Sequence, residues 1–416
     1  MLEIGLAGGL AIALGLYMAY AIGANDVANA MGTSVGSRAL TVGQAIVVAG
    51  IFEFLGAALF GGNVTQTIRK GILDPDVVAA APDDVMYGML AALTAAATWL
   101  IVASRLGWPV STTHSIVGAI VGFGAVVLGV EAVEWSQLVP IVSSWVVSPL
   151  LSGTMAFLLF TLIRRTILDR ELPTQELRRW GPVYVFAVVA VIGLVTLFKG
   201  LKNVDFPLSA GGSFALVGVL GLVISAVAAY FIRRVPIDPD ADREFHFRTV
   251  ERMFAVLQIA SACAVAFAHG SNDVANAIGP MAAILQSIGT GALEAKSQVP
   301  PWLLLIGGVG IVVGLATWGR RVMRTVGERI TELTPSRGYA AEFATALTIA
   351  LASRFAIPVS TTHTLVGAVL GVGLARGIGA LDYRVVGTIV LSWIVTIPVG
   401  AGLAVFFYYF YKGLLT

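Results

Sequence analysis

One polar string occurs twice in this chain, and each copy interrupts an apolar run. The first is Gly23-Ala24-Asn25-Asp26-Val27-Ala28-Asn29-Ala30 and the second is Gly270-Ser271-Asn272-Asp273-Val274-Ala275-Asn276-Ala277. Asp26 and Asp273 lie 247 residues apart (273 − 26 = 247). A second doubled string accompanies them: Pro109-Val110-Ser111-Thr112-Thr113-His114 and Pro358-Val359-Ser360-Thr361-Thr362-His363. The remaining features of the chain serve as support for these four segments.

Of the 416 residues, 57% are hydrophobic and 12% charged, and the mean hydropathy is +0.88. A soluble domain carries roughly twice that share of charge. Several apolar runs reach about 20 residues, enough to cross a hydrocarbon core as helix. The ten-residue alternation of a β-barrel is missing. The expectation is an all-α polytopic membrane protein with a lipid bilayer as its solvent. A net charge of +2 with no basic stripe gives no sign of a nucleic-acid partner. The single cysteine, Cys263, allows no internal disulfide and reads as a buried inert thiol. Met1-Leu2-Glu3 lacks a positive n-region, so Ala19-Tyr20-Ala21 is read as part of a retained span rather than a cleavage site.

About twelve apolar segments follow one another, at roughly 4–22, 41–61, 85–104, 109 onward, 137–163, 182–198, 211–232, 253–268, 301–319, 339–355, 358–376 and 385–411. Arginines cluster after the fifth segment (Arg164, Arg165, Arg170, Arg178, Arg179), the seventh (Arg233, Arg234, Arg243, Arg248, Arg252) and the ninth (Arg320, Arg321, Arg324, Arg329, Arg337). These loops are two crossings apart, so the positive-inside rule makes them cytoplasmic and both termini external. Seven segments precede the eighth. The eighth therefore crosses in the opposite sense to the first, and this parity survives if segments three and four form a re-entrant hairpin. The expected architecture is two inverted-topology repeats, 1–163 and 253–416, with broken helices and re-entrant-type hairpins. A linker at 164–252 carries two transmembrane helices. Inverted repeats with interrupted helices are the build of secondary transporters.

Asp26 and Asn29 share a helix face if the backbone stays helical, as do Asp273 and Asn276. A carboxylate within the membrane marks an ion or substrate path by default. With Asn25 and Asn272 and freed backbone carbonyls, these groups are hard oxygen ligands suited to Na⁺ or another hard cation. Gly23, Gly32, Gly270, Gly279 and Pro280 would let the helix break there. In the Pro-Val-Ser-Thr-Thr-His strings, Ser111 and Ser360 read as helix N-caps. Thr112, Thr113, Thr361 and Thr362 then add hydroxyls at helix N-termini, a natural site for a tetrahedral oxyanion. The competing reading is ordinary capping within a turn.

Arg105 and Arg354 each stand six residues before the capping serine, either approaching the anion or anchoring a hairpin base. Glu53 and Glu342 are acids inside apolar segments without acidic repeat mates, each a cation ligand, a proton carrier or a partner to a neighbouring helix. His114 and His363 read as hydrogen-bonding within their hairpins, and His246 as solvated. His269 breaks the symmetry, because Ile22 stands in its place in the first repeat. No spacing of His, Cys and Asp points to a transition-metal site, and no cofactor is expected. Gly118, Gly122 and Gly124 read as close helix packing.

With both doubled motifs in view, the chain resembles the inorganic phosphate transporter (PiT) family over nearly its whole length. The resemblance implies symport of inorganic phosphate, driven by Na⁺ in many members and by H⁺ in others, with sulfate carried by some relatives. It also implies functional positions at Asp26, Asp273, the flanking asparagines, Ser111, Ser360 and the neighbouring threonines, with Glu53, His269 and Glu342 beside them. Elevator-like alternating access is expected by the same likeness, and the short link between halves fits a prokaryotic type. The expectation is thus a Na⁺–phosphate symporter in the cell inner membrane, a homodimer and not an enzyme. The alternatives are an H⁺-coupled phosphate or sulfate permease, an intramembrane phosphatase and a passive anion channel. No Gly-x-x-x-x-Gly-Lys-[Ser/Thr] motif is present, so the chain itself carries no such ATP-binding loop.

Overall fold

Long apolar runs leave the backbone little to hydrogen-bond except itself, and the chain is helical almost throughout. The computed structural model describes residues 5–70, 72–200, 209–236, 243–290, 299–320, 322–323, 332–377 and 382–415. Within these, α1 spans Leu6–Gly36, α2 Val42–Phe60, α3 Gly62–Lys70, α4 Pro75–Ala80, α5 Pro82–Leu106, α6 Thr112–Phe123 and α7 Trp135–Ile163. Then come α8 (Pro173–Gly200), α9 (Ala210–Arg234), α10 (Arg243–Thr290), α11 (Pro301–Trp318), α12 (Pro335–Arg354), α13 (Thr361–Arg376) and α14 (Tyr383–Leu415). Among the described residues the one β pairing is a bridge from Leu73 to Val133.

Packing follows a crosswise rule between the two halves. Helix α1 lies on α11, and α10 lies on α2; α6 lies on α14, and α13 lies on α7. Glycines make the first two contacts possible. A Cβ on Gly23 would strike the backbone carbonyl of Ile311, and one on Gly314 would strike that of Tyr20. The matching contacts are Gly270 on the carbonyl of Glu53 and Gly56 on that of Phe267. Backbones this close maximise dispersion contact where lipid supplies no hydrophobic drive between helices. Gly118 and Gly122 pack the same way, against Ile397 and Ala401 of α14, and Gly124 meets Leu73. Helices α8 and α9 pair with each other, and α8 leans on α10 and α12.

Outward faces are apolar. Leu150 and Leu158 on α7, Val219 and Leu222 on α9, and Ile394 and Phe406 on α14 are all exposed, a surface made for acyl chains rather than water. The protein is a multi-pass membrane protein. Among the described residues, eight helices are long and apolar enough to span: α1, α2, α5, α7 with its continuation to Leu168, α9, α10, α11 and α14.

That is fewer than the twelve expected, and the hairpins account for part of the difference. Helix α6 has 12 residues before a π-helical turn at Gly124–Leu128. At 1.5 Å per residue this is ~18 Å of α-helix, well short of the ~30 Å hydrocarbon core. Helix α13 has 16 residues. Each follows its predecessor through a tight turn, with Gly107 left-handed (φ 71°) in one and Ala356 (φ 56°) in the other.

A second expectation fails outright. Neither doubled Asn-Asp motif breaks its helix: α1 runs unbroken for 31 residues and α10 for 48. Gly23 and Gly270, two of the glycines expected to break them, instead admit the neighbouring backbones. Pro280 does leave a mark, because its missing N–H frees the carbonyl of Asn276 one turn earlier within a continuous helix. Of the arginines read as cytoplasmic, Arg321, Arg324 and Arg329 lie outside the described residues.

Candidate functional site

Continuous helices carry the two Asn-Asp motifs into the centre of the molecule, where α1 meets α10. Asp26 and Asp273 are both buried. Each accepts a hydrogen bond from the threonine that opens its own half's hairpin helix. Thr112 Oγ1 donates to Asp26, and Thr361 Oγ1 donates to Asp273 Oδ2 at 2.9 Å. The asparagines one turn later reach the opposite hairpin. Asn29 Nδ2 donates to Thr362 Oγ1 at 2.8 Å, and Asn276 Nδ2 to Thr113 Oγ1 at 3.4 Å. Asn29 also donates to Asp26 Oδ1 at 2.9 Å, the contact expected of two residues three apart.

The hairpin tips are fastened to each other. Thr113 Oγ1 donates to the carbonyl of Val359 at 2.9 Å, and Thr362 Oγ1 to that of Val110 at 3.1 Å. Ser111 and Ser360 are N-caps as predicted, each accepting from the backbone N–H of the histidine three residues on, His114 and His363, at 3.2 Å. Two helix N-termini, with four threonine hydroxyls and two serines, are thus gathered in one buried place.

Asn25 and Asn272 use their amide nitrogens elsewhere. Asn25 Nδ2 donates to Ser104 Oγ at 3.0 Å and to the carbonyl of Trp108 at 3.1 Å. Asn272 Nδ2 donates to Ser353 Oγ at 3.2 Å and to the carbonyl of Ile357 at 3.4 Å. They clamp the turn of each hairpin. Their amide oxygens, with Asn276 Oδ1 and Asp273 Oδ1, are buried without a hydrogen-bond donor among the described residues. Buried oxygens without donors are the groups a hard cation would satisfy.

On one side only, the cluster extends. His269 Nε2 lies 3.0 Å from Asp273 Oδ2, and His269 Nδ1 lies 3.3 Å from Glu53 Oε1. Glycine packing registers the halves and puts Ile22 and Ile311 at the matching positions on the other side. Oxygen and nitrogen atoms of Asp26, His269 and Asp273 all fall within 4.8 Å of one another. His269 and Asp273 stand one helical turn apart, while Asp26 comes from the other half.

Glu342 sits apart from this cluster. Its Oε1 accepts from Thr33 Oγ1 (2.6 Å), Ser34 Oγ (2.6 Å) and Gln258 Nε2 (3.0 Å), and its Oε2 from Ser261 Oγ (2.6 Å). The carboxylate therefore ties α12 to α1 and α10. Sequence alone did not reveal these donors.

Several other placements differ from expectation. Arg105 and Arg354 are exposed, whereas the threonines are buried; Arg105 stands over the ring of Trp318, 5.2 Å from its centroid. His114 and His363 bond within their own hairpins through their backbone N–H groups, but their imidazoles turn outward. Their Nδ1 atoms face the carbonyls of Trp393 (3.5 Å) and Trp145 (3.1 Å) on the flanking helices α14 and α7. Their rings lie against those tryptophans, His363 stacked on Trp393 at 3.6 Å and His114 tilted over Trp145 at 3.8 Å between centroids. His246, expected in solvent, is buried. Cys263 is partly buried.

The phosphate transporter family model matches residues 22–404, which takes in both doubled motifs. The chain belongs to the phosphate transporter family. It is 46% identical over 399 residues to a protein of Haemophilus influenzae named "Putative phosphate permease", covering 95% of this chain and 94% of that one. It is 45% identical over 424 residues to the chloroplastic inorganic phosphate transporter 2-1 of Arabidopsis thaliana, covering 97% of this chain and 72% of that one. A solved structure described as the sodium-dependent phosphate transporter superposes with a TM-score of 0.90 at 42% identity, covering 98% of this chain and 99% of that one. The chain is a member of a family of transporters and permeases, not an enzyme, which sets aside the phosphatase reading.

Proposed function

We propose that this chain imports inorganic phosphate together with Na⁺ across the cell inner membrane by alternating access. One observation carries the reading: Thr112 and Thr361 touch the buried carboxylates Asp26 and Asp273 while standing at the N-termini of α6 and α13. Helix N-termini and hydroxyls favour an anion. Carboxylates and donor-free amide oxygens favour hard cations. The two kinds of site share their threonines, so each stabilises the other's occupant. Cations at Asp26, Asn29, Asp273 and Asn276 neutralise charge beside the anion held by Ser111–Thr113 and Ser360–Thr362. When the cations leave, the hydroxyls face bare carboxylates, the anion is repelled, and the two fluxes are coupled.

Na⁺ is favoured over H⁺ because the superposed relative is described as sodium-dependent. The crosswise pairing of the halves supports inverted repeats, 1–163 and 253–416, around the linker 164–252, with both termini outside. Two hairpins clasped at their tips suit an elevator-like displacement as one body, and a homodimer would supply a fixed frame for it.

The test is uptake of radiolabelled phosphate into proteoliposomes. An inward Na⁺ gradient should drive uptake that resists excess sulfate, and Asp26→Asn or Asp273→Asn should abolish it. Uptake driven by a proton gradient alone would move the coupling to H⁺. Strong competition by sulfate would reassign the anion, and flux indifferent to every cation gradient would make the protein a channel.

A further inference from the structure

Away from the doubled motifs, a cavity of about 330 Å³ opens where the ends of α7, α8 and α10 meet the base of the α12–α13 hairpin. Three arginines from three elements line it: Arg164 just beyond α7, Arg337 in the first turn of α12, and Arg376 in the last turn of α13. Asp169, Glu251 and Ser336 share the wall.

Both acids of the wall are already engaged, one of them with an arginine of the cavity. Glu251 is engaged by the start of α12, accepting from Ser336 N–H at 2.8 Å, Ser336 Oγ at 2.6 Å and Thr334 Oγ1 at 2.9 Å. Asp169 is paired with Arg164 at 3.4 Å. The backbone carbonyl of Glu332 holds Arg337 and Arg376 side by side, accepting from Arg337 Nη1 at 3.0 Å and Arg376 Nη1 at 3.3 Å.

The two guanidinium groups also share the Glu332 carboxylate, but loosely, at 3.7 Å and 3.5 Å. Charge-assisted hydrogen bonds close to roughly 2.7–2.9 Å. Glu332 is 80% exposed, whereas the two arginines are only 15% and 24% exposed. The carboxylate that these two like charges share is thus distant and hydrated, and a better anion could displace it. Planar guanidinium forks match a phosphate group, which brings more charge and more acceptor oxygens than Glu332. Arg164, whose Nη1 donates to the carbonyl of Ala375 at 3.2 Å and whose Nη2 pairs with Asp169 at 3.4 Å, is anchored beside Arg376 and adds positive charge to the wall.

We propose that this cavity binds a phosphate group, carried by a phosphomonoester lipid headgroup or present as free phosphate, which displaces the Glu332 carboxylate from Arg337 and Arg376. Its walls come from the hairpin on one side and from α7, α8 and α10 on the other, so the bound group braces the hairpin base. The site stands apart from the transport reading and does not rest on it.

The test is native mass spectrometry of the purified full-length protein with two probes. One is phosphatidic acid against phosphatidylcholine of the same chains, and the other is inorganic phosphate. Wild type should retain phosphatidic acid at least tenfold over phosphatidylcholine, or should hold one more phosphate than Arg337→Gln/Arg376→Gln. The double variant loses that lipid preference or that one equivalent whatever the central site binds, so failure of the transport reading would show separately as a lower wild-type total. Glu332→Gln changes an exposed side chain that does not threaten folding, and it should bind the responding probe severalfold more tightly. Equal occupancy by both probes in wild type, the double variant and Glu332→Gln overturns the proposal.

Discussion

Glu53 and His269 face each other 3.3 Å apart with both side chains fully buried, while the other half of the molecule places Ile311 and Ile22 at the matching positions. The central cluster is therefore polar on one flank and apolar on the other. Glu53→Gln and His269→Gln should each reduce cation-driven phosphate uptake roughly tenfold or more, because either leaves one member of a buried pair uncompensated. The double variant should be no worse than the poorer single one, as expected for residues in one network. Additive losses in the uptake assay would mean that the two act separately.

Gly270 lies against the backbone of Glu53, and Gly23 against that of Ile311. Gly23→Ala or Gly270→Ala must push two helices apart, with an overpacking cost of about 1–3 kcal/mol. Gly9 has open space around its Cβ position. Thermal unfolding of the purified protein should fall by several degrees for the first two changes and stay put for Gly9→Ala.

Asn25 and Asn272 hold the hairpin turns through their amide nitrogens, so Asn→Asp keeps the oxygens and removes the clamp. Asn25→Asp should lower stability by about 1–3 kcal/mol, the cost of leaving buried hydrogen-bond partners unmade. A variant as stable as wild type in thermal unfolding would show that the clamp is not structural.

Glu342 collects donors from Thr33, Ser34, Gln258 and Ser261. Glu342→Ala strands all of them and should destabilise by several kcal/mol, since each unsatisfied buried group costs about 1–3 kcal/mol. Glu342→Gln retains the size and an acceptor and should lose less. Equal unfolding temperatures for the two variants would remove the donor cage as the explanation.

The doubled strings were enough to find the central cluster, because Asp26, Asn29, Asp273, Asn276 and the threonines all converge there. Their pairing was not legible. That Asn29 reaches Thr362, some 330 residues away, depends on how the halves pack, and local spacing carries no trace of it. Gly23 and Gly270 misled for a physical reason: a glycine that breaks a helix and one that lets another helix approach read alike. The same ambiguity hid the Glu53–His269 contact, since Gly270 brings α2 close enough for it. His114 and His363 were placed within their hairpins because their partners are carbonyls of Trp393 and Trp145, and a backbone acceptor leaves no signature in sequence.

Each hairpin tip holds the other, Thr113 on the carbonyl of Val359 and Thr362 on that of Val110. Pulling one tip away alone would sever both bonds at once, while carrying the two together severs neither. Two duplicated hairpins are thereby reduced to a single mechanical degree of freedom. A mutation that stiffens either hairpin acts on both.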